Sequence, residues 1–211
     1  MGTRALVYVM DENCKKPLTR VHVQYDGYPD GIMLDALMRI GEGRVLVNGY
    51  RDPAKEINGM ENFAVMLLWA LMDARVEWAL RSELLRKYFK GKRLPPAGDF
   101  YVSWDSDDFY DYTYVFYPKW EKGESGKGNR PVDAKGVVMV RVYRGYARDP
   151  LNEKELPVIF EGTMDEYIDK FGRGIEQGQS IEDIKLLIDD ITKAIEKLQK
   201  FIEEYSKESK Q

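Results

Sequence analysis

The sequence predicts an α+β fold: antiparallel hairpins form a sheet that packs on a long central helix, and a long amphipathic helix ends the chain. Two segments rich in β-branched and aromatic residues, separated by a short polar turn, begin the chain and are typical of a hairpin. Apolar residues then recur at helical spacing from Gly59 to Lys90. A second stripe with the same period occupies the C-terminus.

The composition indicates a globular intracellular protein of 211 residues, enough for one domain or one domain with an appendage. The net charge of -4 gives no reason to expect general binding to nucleic acid or to anionic membranes. A single cysteine excludes an intrachain disulfide, and no segment resembles a signal peptide or a membrane span. We therefore expect a cytoplasmic protein, and its abundant charged residues are typical of thermophiles.

The first elements are a hairpin and a short helix. Segments Thr3–Met10 and Pro17–Tyr25 have strand character, and the Gly- and Pro-containing segment Asp26–Gly31 then changes the chain direction. Asp30 is expected to N-cap a helix over Ile32–Ile40. The inner side of that helix is expected to carry Leu34, Leu37 and Met38.

The middle of the chain is predicted to be a short strand at Arg44–Val47 followed by one long central helix, or by two helices broken near Asp73–Glu77. The longest apolar run, Phe63–Met72, is interpreted as a buried helix face. The residues at helical spacing are Met60, Phe63, Ala64, Leu67, Leu71, Ala74, Trp78, Leu85 and Phe89.

The next segments predict more strands. Phe100–Trp104 and Asp111–Pro118 are interpreted as a second hairpin with an acidic tip. A Gly-, Lys- and Pro-rich loop covers residues 119–135. Strands are then expected at Gly136–Tyr146 and Pro157–Phe160.

The C-terminal part is predicted to be helical. Thr163 and Glu166 form a capping-box pattern before a helix over Met164–Phe171. The final apolar stripe is expected to return onto the domain or to form a homodimer arm. The predicted organisation is an α+β domain at 1–171, a Gly-rich hinge at 172–179 and an amphipathic helix at 180–211.

Neither the only histidine nor the only cysteine predicts a catalytic centre. His22 lies in a strand between Val21 and Val23 and faces away from them, which favours a structural or surface role. Cys14 lies in a polar turn without an adjacent base. We therefore predict no catalytic residue, no bound metal and no cofactor.

Two charged clusters leave alternatives open. Asp105, Asp107 and Asp108 near Tyr110 fit a solvated hairpin tip, a divalent-metal site or an acidic-aromatic surface for a basic partner, although the calcium-loop pattern is absent. Basic residues alternate with aromatic ones further along, as in a nucleic-acid-binding strand, and a structural role for them is favoured. The basic residues are Arg141, Arg144 and Arg148.

Three segments carry a family resemblance. The strand Thr3–Val9, the turn Tyr25–Gly31 and the segment Asp111–Phe116 followed by Trp120 resemble small uncharacterised phage and prophage proteins. Those proteins begin with a Thr-Arg strand and carry a His-Trp-Asp-Gly-Tyr-Pro signature after the first hairpin. The resemblance implies a viral or mobile-element origin and an α+β fold, and it implies no activity. Here Gln24 replaces the family's histidine, and tyrosine replaces the following tryptophan.

The leading hypothesis is a non-enzymatic binding protein of viral or mobile-element origin that engages a host protein or a small polar ligand. Its contacts are assigned to Tyr25, Asp26 and Tyr28 in the turn and to Asp105, Asp107, Asp108 and Tyr110 in the tip. The alternatives are a divalent-metal hydrolase that uses the three tip aspartates and a nucleic-acid-binding accessory protein that uses the three arginines.

Overall fold

The computed structural model describes residues 3–49, 52–81, 100–102, 109–121 and 134–178, and it confirms a fold of the α+β type. The strands are β1 (Ala5–Met10), β2 (Pro17–Val23), β3 (Val45–Val47), β4 (Glu56–Asn58), β5 (Phe100–Val102), β6 (Tyr112–Trp120), β7 (Lys135–Arg144) and β8 (Val158–Thr163). The helices are α1 (Ile32–Ile40), α2 (Gly59–Arg81) and α3 (Met164–Gly178). The chain divides into the units Met1–Gly172 and Arg173–Gln211, and the sheet belongs to the first unit.

The described strands form a single curled sheet in the order β4-β3-β7-β6-β1-β2-β5, with β8 also paired to β7. The antiparallel pairing of β1 with β2 confirms the first predicted hairpin. Two pairs, β1 with β6 and β3 with β4, are parallel, so the sheet is mixed rather than built from antiparallel hairpins alone.

The predicted second hairpin is wrong, because its two strands are not neighbours. Strand β5 pairs with β2, whereas β6 lies between β1 and β7. The physical reason is the burial of β1, whose six residues are all enclosed and which therefore needs a strand on each edge and packing on both faces. The aromatic β6, itself buried along most of its length, supplies one of those edges.

Each face of the sheet carries its own apolar cluster, because alternate residues of a strand point to opposite faces. On one face, β-strand residues such as Val7, Val140 and Phe116 pack with the three helices. On the other face, the segment 145–157 covers part of the sheet and contributes the buried Ala147 and the half-buried Tyr146. The remaining buried members of this second cluster are Leu6, Tyr8, Met10, Tyr110, Val115 and Tyr143.

Helix α1 has the predicted bounds but a different start. Gly31 rather than Asp30 occupies its N-cap position, and no side chain caps the helix. The Asp26 carbonyl instead accepts the Ile32 N–H at 3.2 Å. The predicted burial of Leu34 and Leu37 is confirmed, whereas Met38 is exposed.

Helix α3 begins with the predicted capping box. The Thr163 N–H donates to Glu166 Oε2 at 2.6 Å, and the Glu166 N–H donates to Thr163 Oγ1 at 3.1 Å. The helix continues past Phe171 to Gly178, so residues 172–178 of the predicted hinge are helical. The predicted helix 180–211 lies outside the described residues.

Gly27 packs directly against β1, which leaves no room for a side chain. Its N–H donates to the Thr3 carbonyl at 3.0 Å. A Cβ at this position would lie 2.7 Å from both the Ala5 Cβ and the Ala5 backbone nitrogen. Since backbone and a buried strand cannot move aside freely, only glycine fits here.

We predict that Gly27→Ala lowers the free energy of unfolding by about 2 kcal/mol through overpacking. Gly172→Ala is the matched control, because its Cβ would meet only Ile168 Cγ2 at 3.9 Å within α3. There the same substitution is expected to raise stability by up to about 1 kcal/mol, because alanine has the higher helix propensity. Urea unfolding of both variants measures the difference, and equal effects would contradict the close packing of Gly27.

Candidate binding surface

The turn from Tyr25 to Gly31 is a tightly bonded structure rather than an open loop. Asp26 has a φ of 58°, a left-handed conformation that aspartate tolerates better than most residues. The Gly31 N–H donates to the Tyr28 carbonyl at 2.9 Å. These contacts hold the turn in one conformation at the start of α1.

An ion pair fixes this turn to α2. Asp26 Oδ2 accepts from Arg75 Nη1 at 3.0 Å, and the second guanidinium nitrogen donates to the Tyr25 carbonyl at 3.1 Å. The Arg75 residue is only 5% exposed, whereas the Asp26 side chain is 34% exposed. A buried guanidinium needs such partners, because an isolated charge is strongly disfavoured away from water.

Tyr25 and Tyr28 both present their rings at the surface beside this ion pair. The Tyr28 hydroxyl donates to Asp26 Oδ1 at 3.3 Å. Partial burial of the ring, and then the negative charge of Asp26, raise the pKa of Tyr28. At neutral pH the phenol therefore stays protonated and can act as a hydrogen-bond donor.

The outer face of α2 is apolar and exposed. Val65, Trp69 and Met72 are 65%, 61% and 45% exposed. Their spacing of i, i+4 and i+7 places them in one stripe along the helix. The interpretation of the run Phe63–Met72 as buried is therefore wrong for these three residues. The opposite stripe is confirmed as buried and contains Met60, Phe63, Ala64, Leu67, Leu71 and Ala74.

Arg75 connects α2, which carries the stripe, with the turn. It follows Met72 by three residues on α2 and is itself buried. Its guanidinium contacts the Asp26 carboxylate and the Tyr25 carbonyl. We define the outer α2 surface as Val65, Trp69 and Met72 together with the exposed rings of Tyr25 and Tyr28.

Carboxylates border this surface. Arg39 of α1 forms ion pairs with Asp73, at 3.0 Å, and with Glu77. Both acidic side chains remain more than 40% exposed. Glu61 and Asp30 are exposed near the starts of α2 and α1. The charged side chains that the structure describes at this border are therefore mostly acidic.

Tyr110 is buried, so its predicted role as a surface contact is wrong. Its hydroxyl lies 3.0 Å from His22 Nδ1, and the two rings make an edge contact. His22 Nε2 lies 2.9 Å from Gln24 Oε1, which can only accept. With the Gln24 amide in this orientation, Nε2 carries a hydrogen, and Nδ1 lies within hydrogen-bond distance of the Tyr110 hydroxyl. Both residues are enclosed on the sheet face opposite the helices.

The predicted tip aspartates Asp105, Asp107 and Asp108 lie outside the described residues. Asp111, which follows them, has a structural contact: its Oδ2 accepts the Arg4 N–H at 2.8 Å. Within the described ranges, no group of three or more His, Cys, Asp or Glu residues could hold a metal ion.

The three predicted nucleic-acid-binding arginines do not form one surface. Arg141 is partly exposed and is bonded to Glu161 Oε1 at 2.6 Å and to the Leu151 carbonyl at 3.2 Å, and its guanidinium lies over the Tyr117 ring. Arg144 and Arg148 are exposed. On β7, positions 141 and 144 point to opposite faces of the sheet.

A buried arginine on the same sheet face as His22 was not singled out from the sequence. Arg20 lies 5.8 Å from the ring centroid of Tyr8 and 5.9 Å from that of Tyr146. Burial raises the pKa of Tyr8 to about 12, although Arg20 acts in the opposite direction. The phenol therefore stays neutral at physiological pH. Alternation along β2 indicates that Arg20 and His22 share a face, but not that this face is buried.

The exposed α2 residues were also missed. A single buried stripe explains Met60, Phe63 and Leu67, but it leaves Val65 and Trp69 without a reason to be apolar. These additional apolar residues could have indicated the exposed stripe from the sequence. A helix with apolar residues on all sides needs a packing partner on more than one side.

We predict that Arg75→Ala lowers the free energy of unfolding by about 2 kcal/mol, because the Asp26 carboxylate and the Tyr25 carbonyl lose a charged donor. Arg148→Ala, at an exposed arginine, is the control and is expected to change stability by less than about 0.5 kcal/mol. Urea unfolding at pH 7 compares the two. Equal effects would mean that the buried ion pair does not hold the turn.

We also predict a pH dependence from Glu161. Hydrogen bonds from Arg141 and then from Tyr117 lower the pKa of the Glu161 carboxyl below its ordinary value of 4.5. Because the folded pKa is the lower one, the stabilisation is complete above pH 4.5 and is lost as the pH falls through the folded pKa. The stability difference between wild type and Glu161→Gln should be constant near neutrality and shrink below pH 4.5. A difference that persists unchanged under strongly acidic conditions would contradict this assignment.

Comparisons of the chain with protein-family models, curated proteins and solved structures found no match. Within the described residues, no helix is long and apolar enough to span a membrane. The function is therefore inferred from the chemistry of the outer α2 surface and its surroundings.

Proposed function

We propose that this chain is a non-enzymatic binding protein that engages a partner protein through the outer α2 surface. The observation that carries the proposal is the exposure of Trp69 between Val65 and Met72 on a helix whose opposite stripe is buried. A contiguous exposed apolar patch is uncommon on a monomer that has no partner.

The residue types support a protein partner. Tryptophan, tyrosine and methionine are enriched at the centres of protein interfaces, and the outer α2 surface contains Trp69, Tyr25, Tyr28 and Met72. A small polar ligand is less suited to this surface, because small-molecule sites are concave and the outward face of a helix is convex.

The polar chemistry of the sheet supports binding rather than catalysis. The side chains of His22 and Tyr110 are buried and bonded to each other. They lie on the sheet face opposite the helices, so they cannot act at the outer α2 surface. The alternative of metal-dependent hydrolysis would use Asp105, Asp107 and Asp108. The alternative of nucleic-acid binding would use three arginines, of which Arg141 forms an ion pair with Glu161. No further contact among the described residues favours either alternative.

The biological setting follows from the resemblance to phage and prophage proteins, which supports a viral or mobile-element origin and a host protein as the partner. The amphipathic pattern of residues 180–211 supports a C-terminal helix that returns onto the domain or joins two copies.

The test is affinity capture from extract of the native host with wild type and two matched variants. Trp69→Lys places a charge in the apolar stripe, and Val158→Lys makes the same change at an exposed residue of β8. A partner should be retained by wild type and by Val158→Lys and reduced at least about tenfold by Trp69→Lys, as for an interface hot spot.

Urea unfolding of both variants checks that each is folded. Equal retention by Trp69→Lys and wild type would refute the outer α2 surface as the binding site. Capture with a chain truncated after Gly178 measures any contribution of the C-terminal residues.

A further inference from the structure

The apolar stripe has the dimensions of a helix-binding site. From Val65 to Met72 the helix axis rises about 10 Å, or two turns. Half-buried Leu68 and Val76 lie beside the exposed residues and continue the apolar character along the helix. Exposed apolar residues at i, i+4 and i+7 give α2 a stripe that can pack along the apolar stripe of a partner helix, as in helix–helix zippers.

The charges around this stripe are unequal. The described side chains of the turn, α1 and α2 include only two arginines, Arg39 and Arg75, and both are engaged by carboxylates. The acidic residues in the same elements are Asp26, Asp30, Asp35, Glu61, Asp73 and Glu77. Among the side chains that the structure describes in the turn, α1 and α2, the net charge at neutral pH is therefore negative.

Building on the proposed function, we infer that the partner presents a basic amphipathic helix. Its apolar side covers Val65, Trp69 and Met72, and its flanking lysines or arginines face the carboxylates. Complementary charges speed the encounter and fix the register, while like charges discriminate against acidic partners. A basic helix satisfies both the apolar spacing and the negative border.

A second copy of this chain is a poorer occupant. Symmetric dimers usually place the same patch of each subunit against itself. Such a contact would bring the carboxylates of two negatively bordered surfaces together, for example Glu61 of one copy and Asp73 of the other. Like-charge juxtaposition across an interface is unfavourable.

The experiment uses two synthetic helical peptides of 18 residues with identical leucine positions. All remaining positions are lysine in one peptide and glutamate in the other. Fluorescence anisotropy of labelled peptide with the full-length protein measures binding. The Leu/Lys peptide should bind at least about tenfold more tightly than the Leu/Glu peptide. Rising NaCl should weaken that binding, because exposed charges are screened.

Matched variants separate the apolar and the charged contributions. Trp69→Ala should weaken binding of the Leu/Lys peptide about tenfold or more, whereas Val158→Ala should leave it unchanged. The double variant Asp30→Asn with Glu61→Gln should bind the Leu/Lys peptide more weakly, and its affinity should depend less on the NaCl concentration. Asp149→Asn, at an exposed carboxylate in the segment 145–157, should do neither.

The outcomes distinguish this inference from the proposed function. Equal affinity for the two peptides, or no binding of either, would overturn the basic-helix inference, and Trp69-dependent capture would still stand. If sedimentation shows that the wild type is a dimer and that Trp69→Ala is a monomer, the surface belongs to a second copy of the chain. That result would also overturn the basic-helix inference. Charge-selective, Trp69-dependent peptide binding supports the inference.

Discussion

The backbone carbonyls of the turn between β2 and α1 must be satisfied inside the protein, and the surrounding elements are arranged around that requirement. The Tyr114 hydroxyl of β6 donates to the Gly27 carbonyl at 2.8 Å, and the Tyr167 hydroxyl of α3 donates to the Pro29 carbonyl at 2.6 Å. Burial raises the pKa of both tyrosines, so both remain donors. Because unpaired buried carbonyls are costly, these bonds tie the central sheet and α3 to one turn.

The same turn connects stability with the exposed surface. The Asp26 carboxylate and the Tyr25 carbonyl both accept hydrogen bonds from the Arg75 guanidinium of α2. These bonds fix the position of the turn, which carries the two tyrosines, relative to α2. A surface held this way loses little conformational entropy when a partner docks. The residues that give the turn its shape are thus also the ones that orient the binding surface.

Local patterns in the sequence predicted the local structure well. The first hairpin, the bounds of α1 and the capping box at Thr163 each depend on neighbouring residues and are confirmed. Strand neighbours depend on distant residues, so the pairing of β6 with β1 was not foreseen. The candidate site shows the same difference between local and distant information. The turn was predicted from its local Asp-Gly and Pro pattern. The exposure of Trp69 was not predicted, because it depends on which stripe of α2 the sheet covers.

The parallel pairing of β1 with β6 has a consequence for synthesis of the chain. Arg4 and Asp111, which bond at the start of this pairing, are 107 positions apart. At about 5–20 residues per second, roughly 5–20 s separate the synthesis of the two segments. During that interval β1 has its hairpin partner but not its other edge, so an apolar strand edge stays open to aggregation or to chaperones. The native topology thus makes the nascent chain most vulnerable before β6 has been made.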